Sequence, residues 1–379
     1  MKDKINYIGY YDVNNNLSEC RQYALAATNK MNYICNSLNK IGYKVLIVSP
    51  SITKKNRFYK GKTVQISDDT SLKLFPTFPW GNKLQKAFSL IASDIMLFWY
   101  LISNIKSDEN IIVYHSLGLR NVIRYAKKIK RFKVILEVEE IYQDVMYYSK
   151  NTRKLEYKAF ITADKYLLST ELLNEKLNTT NKPCVIINGI YQVEQERKCK
   201  FEDGKIHVVY AGTFDPRKGG TIAATAAAYL PKDYHIHIIG FGSEKEIKSI
   251  QELTSKIAKI SNCIITYDGL LKGEEYIRFL QSCDIGLSTQ IPDASYNNTS
   301  FPSKILSYMS NGLRVVSVRI KAIEMSAIGN EVYYYDEQTP KAIADAIMSI
   351  DLNEPNKCTE LIKKLDQEFI KDMNGLLRC

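Results

Sequence analysis

Residues 208–220, Val-Val-Tyr-Ala-Gly-Thr-Phe-Asp-Pro-Arg-Lys-Gly-Gly, run an apolar strand into a glycine turn, two cations and two more glycines, ahead of a helix expected over 221–229. That order suits phosphate. Glycines such as Gly212 let the backbone approach a ligand without a side chain in the way, and the first turn of a helix offers unpaired N–H groups. Arg217 can grip two phosphate oxygens while Lys218 acts as a point charge, so the pair fits a diphosphate better than either residue alone. The competing reading is an ordinary strand-to-helix turn with solvated cations. A second anion-facing segment, Asn298-Thr299-Ser300-Phe301-Pro302-Ser303-Lys304, ends a long polar loop. Pro302 suits a helix's first turn, and Ser303 sets hydroxyl and backbone donors beside Lys304. Gly240-Phe241-Gly242 and Asp268-Gly269-Leu270 each follow an apolar run, where one ligand could touch several loops.

The first half offers less. His115 follows an apolar run, and Glu137, Glu139 and Glu140 close another. Glu139 or Glu140 could bind acceptor hydroxyls or assist proton removal, although carboxylates at a strand end are more often solvated or paired with Lys. Arg21, read as opening a helix, could meet a phosphate or serve only as surface charge. The Asn-rich loop 11–19 is expected to shape an acceptor site. Eight cysteines lie scattered with no Cys-x-x-Cys and no His at ligand spacing, which predicts reduced thiols and no metal.

Positioning these residues requires strands that end near one another. Apolar runs at 5–10, 44–49, 111–114, 133–138 and 184–187 alternate with helical stretches, and a second series follows at 206–211, 235–239, 263–267, 284–288 and 314–318. Strands separated by helices imply parallel sheets covered on both faces. The expected fold is α/β: two tandem Rossmann-like, doubly wound domains facing across a cleft. The first spans 1–190, a polar linker 191–204, the second domain 205–355, and a helical tail 356–379 is expected to pack back toward the first. The apolar stretch 87–103, interrupted by Asp94, is expected to be a buried helix, with a membrane-surface role beside Lys83 and Lys86 as the alternative.

Charge separates the halves. Residues 1–190 carry 29 Lys and Arg against 16 Asp and Glu, whereas 191–379 carry 23 against 25. A basic first half calls for an anionic partner such as a phospholipid surface or phosphorylated acceptor, and the near-neutral second half argues against nucleic acid. Met1-Lys2-Asp3-Lys4-Ile5 leads straight into a strand, which predicts a cytoplasmic protein.

The series Tyr-Ala-Gly-Thr-Phe-Asp-Pro-Arg-Lys-Gly, Ile-Gly-Phe-Gly, Tyr-Asp-Gly-Leu, Cys-Asp-Ile-Gly-Leu-Ser and Phe-Pro-Ser-Lys-Ile-Leu-Ser-Tyr-Met-Ser-Asn-Gly-Leu-Arg-Val-Val resembles the donor domain of GT-B glycosyltransferases, nearest to glycosyltransferase family 4. The match covers residues 206–318, and the first half only in outline. The resemblance implies retaining transfer of a sugar from a nucleotide-diphosphate donor, with no metal or other cofactor; the sequence contains no Asp-x-Asp. It gives Arg217 and Lys218 the leaving diphosphate, and places Gly212, Thr213, Gly240, Gly242, Asp268, Leu270, Phe301, Ser303 and Lys304 around the nucleotide sugar. It also makes His115 a contact of the transferred sugar.

Where the family carries two Glu separated by seven residues, Thr299 and Ser307 stand here, and Thr213 replaces an Arg. A hydroxyl contact is weaker than a charge-assisted one by roughly half. The reading that follows is a glycosyltransferase acting on a glycan acceptor, polyprenyl-diphosphate-linked and part of bacterial surface polysaccharide, at the inner face of the membrane. The alternative is a non-catalytic GT-B binding or scaffolding protein. An epimerase would need an acid and base facing the donor, and a dehydrogenase a Gly-x-Gly-x-x-Gly after the first strand; neither is present.

Overall fold

The computed structural model describes residues 3–13, 18–197 and 199–379. The chain divides into two units, one of residues 1–187 with 368–379 and the other of residues 188–367. In the first, β1 (Lys4–Ile8), α1 (Leu25–Lys40), β2 (Lys44–Ser49), β3 (Lys62–Ser67), β4 (Thr70–Leu74) and α2 (Lys83–Asn104) come first. They are followed by β5 (Asn110–Tyr114), α3 (Arg120–Lys130), β6 (Lys133–Val138), α4 (Tyr142–Val145), α5 (Lys150–Thr162), β7 (Lys165–Leu168), α6 (Glu171–Leu177) and β8 (Cys184–Ile186). The strands form one sheet in the order β3-β4-β2-β1-β5-β6-β7-β8, parallel except for the β3–β4 hairpin. Its central strands are apolar on both faces because helices cover both, the pattern of a buried parallel sheet.

The second unit contains β9 (Ile206–Thr213), α7 (Gly220–Thr225), β10 (Tyr234–Phe241), α8 (Glu244–Ile257), β11 (Ile264–Gly269), α9 (Gly273–Ser282) and β12 (Ile285–Ser288). After these come α10 (Lys304–Ser310), β13 (Arg314–Val318), α11 (Lys321–Glu324), β14 (Val332–Tyr335) and α12 (Pro340–Met348). The sheet order is β11-β10-β9-β12-β13-β14, all parallel. Connections run outward in opposite directions from β9 and β12, so a topological switch point lies between their carboxyl ends, where such sheets bind ligands. A last helix, α13 (Cys358–Arg378), leaves the second unit and ends in the first. There Phe369 stacks on Tyr33 at 5.6 Å, and the Leu376 carbonyl accepts from Lys165 Nζ at 2.8 Å.

Several sequence expectations are corrected. α2 is not a buried helix: Ser89, Ser93, Leu97, Tyr100 and Leu101 pack inward, while Leu84, Phe88, Ile91, Ile95 and Trp99 form an exposed stripe. Among the described residues it is the one helix long and apolar enough, by length and composition, to cross a membrane. The helix expected over 221–229 breaks into α7 and a tighter turn over 226–229. Arg21 opens no helix; it is buried, with Nε 2.6 Å from Glu19 Oε2 and a guanidinium N–H donated to the Ser51 carbonyl. Of the Asn-rich loop, residues 14–17 lie outside the described residues. All eight cysteines are free.

Candidate functional site

At the switch point β9 and β12 part. They pair only at Val208–Ile285 and Val209–Gly286, and beyond that the Ala211 N–H has no strand partner. Tyr308 of α10 fills the gap. Its hydroxyl accepts from Ala211 N at 2.8 Å and lies 3.2 Å from the Leu287 carbonyl, and its ring lies on Gly286, where a Cβ would come within 2.3 Å.

The loops beyond the two strands are laced together. Ile291 N donates to the Arg217 carbonyl at 3.0 Å, Tyr296 OH donates to the same carbonyl at 2.9 Å, and Thr289 Oγ1 donates to the Gly219 carbonyl at 2.8 Å. Gly219, at φ +83°, approaches Thr289 so closely that a Cβ would fall 1.8 Å from its carbonyl oxygen. Gly240, at φ +150°, does the same toward Gly212, at 1.7 Å. These two glycines are therefore required by backbone packed against backbone within the site.

Two lysines converge on this frame. Lys304 Nζ lies 4.1 Å from the Tyr210 ring centre, and a Cβ on Gly212 would stand 3.2 Å from it. Lys218 Nζ lies 4.0 Å over the Tyr296 ring. The Lys304 stem reaches solvent, but the ammonium is sealed from it and makes no hydrogen bond. Burial, reinforced by the charge of Lys218, pushes it down to about 7, and no carboxylate is among the groups that act on it. A buried cation faced by another cation favours an anion beside it, because the anion restores the lost hydration of both.

Arg217 faces elsewhere. Its guanidinium forks onto Asp215, with Nη2 to Oδ2 at 2.7 Å and Nε to Oδ1 at 3.1 Å, and the side chain is about half exposed. The sequence pairs Arg217 with Lys218; the structure pairs Lys218 with Lys304. What the sequence could not display is the tyrosine frame of Tyr210, Tyr296 and Tyr308, because each acts through a partner far along the chain.

The other residues that the sequence assigned to the donor divide by exposure. Thr299 is fully buried, and Ser307 Oγ is 3.4 Å from Tyr276 OH. Phe301 is half-buried, Ser303 is exposed without a side-chain capping bond, and Thr213 accepts through its carbonyl from Tyr210 OH at 2.9 Å. Gly242 precedes the Ser243–Glu246 capping box of α8. Phe241 and Leu270 expose apolar side chains at neighbouring strand ends. Asp268 sits where the β10–β11 register slips, a bulge that re-aims a side chain. Burial would raise its carboxyl, yet hydrogen bonds from His237 and Thr266 hold it below the usual carboxylate range.

In the first unit His115 is a packed residue, not the open strand-end His that the resemblance suggested. It is 3 % exposed, between the rings of Tyr142 and Phe160, with Nε2 3.0 Å from Glu156 Oε1. Glu139 forms an ion pair with the buried Lys30, whose Nζ lies 3.1 Å away and also donates to the Ile187 carbonyl at 2.9 Å. Glu140 is half-buried. The sequence named Glu137 but gave it no role; it is completely buried, hydrogen-bonded by Tyr7, and pushed up to about 8 by desolvation and then by Glu139.

The absence of His at ligand spacing is also corrected. His207, His235 and His237 meet on one face of β9 and β10. His-x-His within a strand was the overlooked signal, since a period of two puts both rings on one face.

Residues 205–351 match the family of Glycosyl transferases group 1. Comparison with curated proteins gives no match. Among solved structures, an E. coli trehalose-6-phosphate protein bound with UDP-2-fluoro glucose shares 10 % identity at TM-score 0.64, covering 100 % of this chain and 98 % of that one. The α,α-trehalose 6-phosphate synthase of Burkholderia multivorans gives 12 % at 0.63, covering 100 % and 96 %. Anabaena HepE, in complex with UDP and glucose, gives 10 % at 0.60, covering 99 % and 97 %.

Proposed function

We propose that this chain, which has the GT-B glycosyltransferase fold and carries a group 1 glycosyl transferase domain over residues 205–351, moves a sugar from a nucleotide-diphosphate donor to a glycan acceptor. One observation carries the reading: the Lys304 ammonium is sealed from water with no hydrogen-bond partner, beside Lys218, at the switch point of the second sheet. As the sugar departs, negative charge grows on the diphosphate. The sealed Lys304 ammonium and Lys218 beside it stabilise that charge, the work a divalent ion does in other transferases. Transfer is then metal-independent at the phosphates and, by the resemblance, retaining. Phe241 and Leu270 offer apolar surface for a nucleobase, while the exposed Ser303 and the half-buried Ser307 bring hydroxyls to the ribose and sugar.

The first unit would take the acceptor, with Glu139 and Glu140 as candidate contacts for its hydroxyls. A lipid-diphosphate acceptor on the inner membrane face is supported by the basic first half and by the exposed stripe of α2. That stripe begins at Lys83 and Lys86, and Tyr125, Lys128 and Ile129 of the adjoining α3 are exposed as well. Apolar residues edged by cations suit an anionic bilayer surface. A role in surface polysaccharide assembly follows from that acceptor class.

Thr299 and Ser307, in place of two Glu, favour a second reading in which the fold binds a nucleotide sugar without transferring it. Incubation with a panel of nucleotide sugars, UDP-sugars first, separates the two. Release of nucleoside diphosphate that is lost in Lys218→Ala supports transfer. Binding with no release from any donor, with or without lipid-linked acceptor, supports the scaffold.

A further inference from the structure

The three histidines of the second unit lie toward the amino ends of β9 and β10, away from Gly212 and Lys218. His207 stands opposite His235 in the parallel register, and His237 follows two residues on, so all three project from one face of the sheet. One nitrogen from each ring can be chosen so that all three lie within 4.8 Å of one another. Phe201 stacks on His207 at 4.0 Å, and Phe279 of α9 meets His237 edge-on at 5.0 Å.

The outer nitrogens of these rings are already engaged. His207 Nε2 is 2.9 Å from Asp203 Oδ1, and His237 Nδ1 is 3.0 Å from Asp268 Oδ2. His235 Nε2 is 3.0 Å from Thr266 Oγ1, whose hydroxyl donates to Asp268 Oδ2 at 2.8 Å. An ionised carboxylate only accepts, and a hydroxyl that has given its hydrogen to one can only accept from a ring. Each outer nitrogen must therefore carry the proton, which leaves a lone pair on the inner nitrogen of each neutral ring.

The consequence is a contact that two neutral rings cannot satisfy. His207 Nδ1 and His237 Nε2 face each other at 2.9 Å, lone pair against lone pair, with His235 stacked on His237 at 3.9 Å. A positive centre has to serve them, either a shared proton or a metal ion. Imidazoles whose far N–H is held by a carboxylate are the usual ligand arrangement of zinc-class sites, and two carboxylates balance a dication.

We propose that His207, His235 and His237 bind one transition-metal dication of the zinc class, with Asp203 and Asp268 orienting the rings. Two nitrogens on a tetrahedral ion stand about 3.3 Å apart, so the facing rings part by a few tenths of an ångström, and His235 turns to become the third ligand. Asp203 is 40 % exposed and Asp268 26 %, which leaves the site a way in from solvent. The site is structural, pinning β9, β10 and β11 together behind the loops that carry the lysines. Of its residues only Asp268 is also among those assigned to the nucleotide sugar.

The test is titration of untagged, chelator-treated protein with Zn²⁺ by calorimetry at neutral pH, and with Co²⁺ by visible absorption. Saturation at one equivalent, with a rise in melting temperature and tetrahedral Co²⁺ bands, is expected. Asp203→Asn, at a partly exposed position, should weaken binding by about 10–100-fold while leaving the circular dichroism unchanged. His235→Gln should abolish the stoichiometric step. If the wild type takes up no metal at one equivalent, or if His235→Gln binds as tightly as the wild type, the proposal is overturned and the facing rings hold a shared proton instead.

Discussion

On the proposed function, Lys304 is the residue on which the donor chemistry turns. Its burial beside Lys218 sets the two lysines level. Replacing either by Ala should lower turnover on the order of a hundredfold, measured as nucleoside diphosphate release, whereas Arg217→Ala should act weakly because that side chain pairs with Asp215. Lys304 also links the site to pH. Its folded value of about 7 lies below the ordinary 10.5, so between these values the unfolded chain holds a proton the folded chain lacks, and stability rises with pH across that window. Below about pH 7 both states are charged, and the burial penalty is fully present. Glu137 runs the other way: its folded value of about 8 lies above 4.5, so it loses stability as pH rises between those values and masks Lys304 where the windows overlap. The clean comparison is Lys304→Met against wild type in denaturant melts. The substitution should stabilise at pH 6, with the gain shrinking toward pH 9. Nucleotide binding near pH 8 should take up a proton at Lys304, read by calorimetry in buffers of different ionisation enthalpy.

Among the elements, α10 matters less as a helix start than as the carrier of Tyr308. The parting of β9 from β12 opens the switch point but strands a backbone N–H, and the Tyr308 hydroxyl bridges the gap. Tyr308→Phe leaves that N–H and the Leu287 carbonyl unpaired in the core, which should cost about 1–3 kcal/mol in urea unfolding. α2 is the other element whose role depends on its surface. Its inward residues hold it to the sheet, so changes on the outward stripe should spare folding. Ile95→Ser with Trp99→Ser should abolish flotation with anionic vesicles while leaving the melting temperature unaltered, and equal flotation of variant and wild type would remove α2 from the membrane reading.

For the whole molecule, the prediction concerns ligand-linked stability. A ligand that binds only the folded state adds about 2.7 kcal/mol at a hundred times its dissociation constant. The cognate nucleotide sugar should therefore raise the melting temperature, and Lys218→Ala and Lys304→Ala should each reduce that rise. Equal shifts in wild type and both variants would place the nucleotide away from the two lysines.

The order of apolar runs and helical stretches, read along the chain, determined two parallel α/β sheets, because period and strand length are local properties. The hairpin of β3 and β4 escaped notice since β3 is exposed and polar, with no apolar run to mark it. The glycine-cation turn and the helix start at Lys304 were legible as turns at strand ends because turn chemistry is written in neighbouring residues. Tertiary structure alone decided that Lys304 is sealed against Tyr210, that His115 is packed beside Glu156, and that three histidines from two strands meet. Each of these outcomes depends on which side chain removes another from water. That is a property of residues brought together by the fold, often from far apart in the chain, and a local pattern does not encode it.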